Sequence, residues 1–389
     1  MRDVAILSAV RTPIGRAPRG VFKNTRPDDL AALVAREAIR RAEIPAADVE
    51  DVVLGCAHPE AEQGLNVARQ VGFLAGLPDS TPAMTVNRFC SSGLQAAAIV
   101  ADRIAAGSID AGLAGGLESM SLIPMGGAKI ALNPAVVDQF PEAHIPMGNT
   151  AENVARRFGV SREHQDAFAL ASHQKAVAAW NRGDFAAEVL PIKTRVFDGE
   201  VWRDLTVDRD EGPRADTSLE KLASLKPAFD PTGSVTAGNS SPLNDGAAAL
   251  ILTSGDKAKA LGVKPRAFFR AFAVAGVPPE IMGIGPVPAV RKLLAKTGLK
   301  IDDIDLYEVN EAFASQAVYC VRELGLPVER VNVNGGAIAI GHPLGATGAR
   351  QIATALHELE RRQGRYAVIT MCVGGGMGAA GLIELPRKS

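Results

Sequence analysis

Residues 330–359 read RVNVNGGAIAIGHPLGATGARQIATALHEL, and residues 85–104 read TVNRFCSSGLQAAAIVADRI. In each, a short VN run enters a turn rich in Gly or Ser. A helical stretch follows, then another apolar run, YAVITMCVGGG after the later copy and DAGLAGG after the earlier one. IDLYEVN (304–310) before one copy parallels VEDVVLG (49–55) before the other. The repeat predicts two similar α/β halves with βαβ-type units and mostly parallel sheets. Working outward, VAILSAV (4–10) reads as a first strand, and 28–42 as an amphipathic helix with Leu30, Leu33, Val34 and Ala38 on one face. LQAAAIVADRIAA is apolar almost all round and stops at Gly107, the pattern of a buried helix. The later helix carries a stripe of Ile352, Leu356 and Leu359.

Between the halves the texture changes. Residues 119–245 open with MSLIPMGGAK, continue with the helical TAENVARRFGVSREHQDAFALASHQKAVAAW and the extended EVLPIKTRVFDGEVWRDLTV, and end in TAGNSSPLNDG. AAALILT (247–253) then reads as a strand returning to the first sheet. The expected division is an N-terminal half, 1–118, completed by 246–265; an inserted loop or lid domain, 119–245; and a C-terminal half, 266–389.

The 389 residues suffice for two or three cores, and 47% apolar with 22% charged residues is ordinary globular composition. Forty-two basic against 43 acidic side chains, with no basic block, argue against nucleic acid. Apolar runs reach about seven residues, against the ~18 a membrane span needs. The four cysteines show no disulfide framework, which fits a reducing compartment. The C-terminal LPRKS lacks a peroxisomal tripeptide, and the chain starts directly in its first strand. The expected location is cytoplasmic.

Two of those four cysteines, Cys90 and Cys372, lie in glycine-rich turns, each after an apolar run. A Cys entering a helix meets free N–H groups and a positive field, which predicts a lowered pKa and a nucleophile. A buried inert Cys is the other reading. His342, among Gly335, Gly336, Gly345 and Gly348, reads as a base; a phosphate loop is its rival, but no GK[ST] or dinucleotide fingerprint occurs. The glycines after Cys372 admit a ligand and can aim N–H groups at an oxyanion; a tight hairpin with a passive Cys is the alternative. Asn310 ends a strand, where polar groups commonly face a site. Cys56 and His58 match no zinc spacing, so no metal is expected. His164 and His173 read as solvated, Cys320 as core.

Together, VNRFCSSGLQA (86–96), NEAFASQA (310–317), GHPLGATGARQ (341–351) and CVGGGMGAA (372–380) resemble the thiolases. SAVRTPIG, GGLESMS, MGNTAENVA and TAGNSSPLNDGAAA fit as well, so the resemblance runs from Ser8 to about Leu382. It implies the thiolase fold and an acyltransferase that cleaves 3-ketoacyl-CoA with CoA, or condenses two acyl-CoA molecules. By resemblance Cys90 is the acylated nucleophile, His342 its base and Cys372 the acid/base at the carbanion. Asn310 fixes a water at the enolate oxygen, and Gly374 donates its N–H to the second oxyanion. CoA is implied as a substrate, with no tightly bound cofactor. Ser241, Met147 and Phe313 match its pantetheine contacts and Lys226 the adenosine phosphate end; Arg214 joins on charge alone. A homodimer or homotetramer is implied.

Short-chain biosynthetic thiolases commonly read C-G-S-G at the nucleophile and H-M-G before the TAENVA helix. Here the sequences are CSSG and Pro146-Met147-Gly148, with His144 displaced by two positions. The loop after Ser119 also looks like that of degradative enzymes. These features favour a β-oxidation 3-ketoacyl-CoA thiolase. An acetoacetyl-CoA thiolase is the nearer alternative and a non-catalytic acyl-CoA or lipid-binding protein the remoter one.

Overall fold

The computed structural model describes residues 2–387; the last two residues of LPRKS lie outside it. The first half runs β1 (Val4–Arg11), β2 (Gly15–Arg16), α1 (Pro27–Ala42), β3 (Val52–Gly55), α2 (Val67–Ala75), β4 (Ala83–Val86), α3 (Ser92–Ala105) and β5 (Ala111–Ser119). A long excursion carries α4 (Pro134–Gln139), α5 (Met147–Phe158), α6 (Arg162–Arg182), the ribbon β6 (Ile192–Phe197) and β7 (Trp202–Val207), and α7 (Leu219–Ala223). The chain returns through β8 (Asn244–Ser254) and α8 (Gly255–Ala260). The second half is β9 (Ala267–Gly276), α9 (Pro286–Thr297), β10 (Leu306–Val309), α10 (Ala314–Leu324), α11 (Leu344–Arg362), β11 (Tyr366–Val373) and β12 (Met377–Glu384).

The strands order as β4-β3-β5-β8-β1 and then β9-β12-β11-β10, with β2 on β8. The two runs mirror each other about the β1–β9 pair, which has only two residue pairs. Val331 bridges parallel to Tyr307 as Val86 does to Gly55, so each VN run lies beside the strand that precedes it. The sheets are mixed, not mostly parallel as the repeat predicts. β3·β4, β3·β5 and β10·β11 are parallel, whereas β5·β8, β8·β1, β11·β12 and β12·β9 are antiparallel. Each half closes its parallel unit with a strand that turns back. β12 does so through the glycines after Val373, and β8 only after the whole excursion.

Alternation in β1 shows why the strands are apolar on both faces. Val4 and Ile6 enter one core with α3 and α11, while Ala5 and Leu7 enter another with α1 and α2. The first core also holds Leu306, Ile369 and Ala379 of the second half. The helices α3 and α11 are therefore a shared inner layer, and α1 and α9 cover the outer faces. This explains why α11 is buried on every side from Leu344 to Leu359, beyond the single stripe expected. The helical stretch of the excursion breaks in two at Gly159, which takes φ +63°. His173 is buried, not solvated: its Nδ1 accepts the Arg214 N–H at 3.2 Å. His164 is exposed and Cys320 is core, as expected.

Candidate active site

Cys90 precedes α3 by two residues, and His342 precedes α11 by two. The two helix starts touch. A Cβ on Gly93 would lie 2.8 Å from Gly345 O, and one on Gly348 would lie 2.3 Å from Leu94 N. The duplication thus brings a thiol and an imidazole, each at a helix entrance, to one place.

The turn at Cys90 is stapled by its neighbours. Phe89 N–H donates to Asn87 Oδ1 (2.8 Å), Arg88 N–H to Ser92 Oγ (2.8 Å) and Ser92 Oγ to Phe89 O (2.7 Å). Phe89 adopts φ +41°, a left-handed conformation uncommon for a side chain of its size. The Cys90 thiol is not acidified as its place before a helix predicts. Burial pushes it up to about 12, against the opposing pull of two backbone N–H donors, those of Gly374 and of Cys90 itself. Desolvation here outweighs the helix field. Cys372, next to the end of β11, is raised well above the ordinary thiol value by burial and by the neighbouring Cys90.

His342 is buried and neutral. Desolvation, then the Arg350 charge, lowers it to about 3. Its backbone N–H donates to Asn244 Oδ1 (2.8 Å), and Asn244 Nδ2 donates to Gly15 O (2.8 Å), so β8 and the β1–β2 turn hold this loop. Asn310 Nδ2 lies 3.2 Å from His342 Nε2. Glu118, at the end of β5, accepts from the N–H groups of Ala57 and Gly345, both at 2.8 Å. It ties the loop after β3 to the first turn of α11.

Over this centre lies an apolar wall. Met147 and Phe313 share a cluster with Cys372, and Met147 Sδ would be 3.5 Å from a Cβ on Gly374. Ser241 reaches the same wall, with its N–H (3.0 Å) and Oγ (3.1 Å) both donating to Ala312 O. Beside Ser240 a cavity of about 300 Å³ is lined by Arg16, Arg214, Lys221 and His173. Lys226 is exposed and does not line it. A larger groove, about 700 Å³, lies between the start of α1 and the β6–β7 ribbon and contains none of these residues.

The family model of the thiolase N-terminal domain matches residues 4–256 and that of the thiolase C-terminal domain residues 263–385. This chain belongs to the thiolase family. It is 51% identical to the 3-ketoacyl-CoA thiolase of Bacillus subtilis (strain 168), over 99% of this chain and all of that protein. It is 50% identical to the peroxisomal 3-ketoacyl-CoA thiolase of Homo sapiens, over 99% and 91%. The crystal structure of the Bacillus anthracis acetyl-CoA acetyltransferase superposes with a TM-score of 0.91 at 42% identity, covering 99% of each chain.

Within this thiolase, the bonds and clusters above link Cys90 to Gly374 and Cys372, and His342 to Asn310, with Met147 and Phe313 in the wall. Sequence reasoning passed over Glu118, Asn244 and Thr347, whose Oγ1 lies 2.6 Å from His342 Nδ1. Glu118 had a signal, a lone acid at the end of the apolar run AGLAGGLES. Asn244 and Thr347 had none, because their partners lie on other elements or within a turn of unknown shape.

Proposed function

We propose that this thiolase transfers the acyl group of a 3-ketoacyl-CoA to CoA through an acyl-Cys90 intermediate, as the degradative enzymes of the family do. One observation carries the chemistry: a buried thiol at a helix entrance that meets that of a buried imidazole, with the backbone N–H groups of Gly374 and Cys90 favouring its thiolate. His342 takes the thiol proton as the sulfur attacks the 3-keto carbon. The C2–C3 bond then breaks, the electron pair stays on C2, and Cys372 protonates it to release acetyl-CoA. The CoA thiol loses its proton to the Cys372 thiolate and attacks the thioester. Cys90 leaves and recovers the proton held on His342, so each group returns to its starting state. The N–H groups of Cys90 and Gly374 receive the carbonyl oxygen at the tetrahedral stage, a contribution of ~10²–10³ in rate for one donor. Asn310 serves the enolate side.

Ser241, Met147 and Phe313 receive the pantetheine arm in this reading. Arg16, Arg214 and Lys221 supply positive charge to the phosphate end in preference to Lys226. The chain divides at 118, 245 and 265 as the repeat suggests. It works in the cytoplasm, a reading supported by the full-length bacterial relative. Among the described residues no helix is long and apolar enough to cross a membrane. A homodimer is the expected assembly, supported by the free edge of β4 beside the exposed Leu65, Phe73 and Leu74.

The test is thiolysis of acetoacetyl-CoA and of a medium-to-long 3-ketoacyl-CoA, compared as kcat/KM. A preference for the longer substrate is expected. Activity confined to acetoacetyl-CoA would establish instead the second reading, which the likeness to an acetyl-CoA acetyltransferase favours.

A further inference from the structure

We propose that Thr347 is a positioning residue that fixes His342 in the tautomer with its proton on Nδ1, so that Nε2 presents the lone pair that receives the Cys90 proton in place of the Asn310 amide hydrogen bond. The inference rests on the reading of His342 as the base and deepens it. Thr347 lies in the first turn of α11 and is fully buried. Its Oγ1 makes two short contacts, 2.8 Å to Pro343 O and 2.6 Å to His342 Nδ1. A hydroxyl has one proton to give. Pro343 O can only accept. Were the hydroxyl proton spent on Nδ1, two oxygen lone pairs would face each other at 2.8 Å without a hydrogen between them, at a fully buried hydroxyl. The hydroxyl therefore donates to Pro343 O, and Nδ1 carries its own proton and donates to Thr347.

The opposite side of the ring fits the same state. With its amide nitrogen turned to the ring, Asn310 Nδ2 stands 3.2 Å from Nε2 and donates to the lone pair there. The ring is gripped at both nitrogens by neutral groups. A carboxylate in place of Thr347 would hold an imidazolium and retain the proton. A hydroxyl orients the ring without doing so, which suits a base that must return the proton in the same turnover.

The decisive measurement is the nitrogen-15 spectrum of the intact enzyme labelled at histidine, with His342 assigned by its loss in His342→Gln. The expected signals are a protonated Nδ1 and a bare Nε2; a protonated Nε2 would overturn the proposal. Thr347→Val removes the hydroxyl at nearly constant volume. It is expected to lower kcat about 10²-fold, the low end of a general base's contribution, with KM within about threefold, and to shift the ring signals. Thr347→Ser is expected to restore both the rate and the tautomer. A Val variant with wild-type kcat, or a Ser variant as slow as Val, sinks the idea. If the Val variant does not fold, the wild-type spectrum decides alone. Turnover surviving in Cys90→Ala would instead strike the reading of the reaction and leave the ring assignment standing.

Discussion

Burial holds both Cys90 and His342 uncharged, and this governs how the enzyme answers to pH. His342 gains a proton only as pH falls toward about 3, and Cys90 loses one only as pH rises toward about 12. Ordinary values near 6.5 and 8.5 would put two limbs inside the working range. The free enzyme is therefore expected to show a kcat/KM for acylation that is level from pH 5 to pH 9. Stopped-flow acylation across that range checks it, and a limb centred near 6.5 contradicts the burial argument. On the proposed reading, the expected consequence is a proton transfer made only as the substrate arrives, not a resting thiolate. Glycine-rich surroundings marked both side chains in the sequence. Their protonation states were not legible, because a local pattern reports the helix entrance and not the depth of burial that outweighs it.

At the scale of elements, the contact of α3 with α11 sets the distance between the two helix entrances. Gly348 permits it, since a Cβ there would lie 2.3 Å from Leu94 N, a backbone atom that cannot swing aside. Gly348→Ala is expected to push the helices apart, to cost about 1–3 kcal/mol, and to lower kcat because Cys90 and His342 ride on the displaced ends. Gly76 is the control. It takes φ +83° at the end of α2 with nothing within 4 Å of its Cβ position. Gly76→Ala is expected to cost about 1–2 kcal/mol of backbone strain with kcat unchanged. Urea unfolding together with kcat separates the two, and equal activity in both variants would reject the role given to the contact. The elements themselves were largely legible: α1, α3 and β8 fall where apolar periodicity places them. Strand direction was not, because β5 and β11 look alike whether their neighbour runs with them or against them.

Across the whole molecule, the excursion is fastened to the first strand through buried charge. Arg11, fully buried, donates to Glu188 (2.7 Å) and in two bonds to Asp210 (2.7 and 3.0 Å). Both acids lie within the excursion, and burial raises Glu188 even beside this cation. Glu188 also accepts from Thr354 of α11 (3.0 Å), so the three parts of the chain meet at one carboxylate. Arg11→Met leaves two acids without their cation and is expected to cost about 3–5 kcal/mol. Denaturant unfolding measures this, and a loss below about 1 kcal/mol would mean that the excursion is held by its apolar contacts alone. No sequence pattern foretold the pairing, since its members are 177 and 199 residues apart.

By itself the sequence determined the family, and it marked the two similar halves and the residues proposed to carry the chemistry, because apolar period, glycine placement and motif blocks are local properties of the chain. Only the tertiary structure decided the strand directions, the central burial of α11, the place of His173, the cations around the cavity beside Ser240, and the neutral state of Cys90 and His342. Each of these depends on which distant segments shut out water or supply a partner. That is a property of packing, which no single stretch of the chain contains.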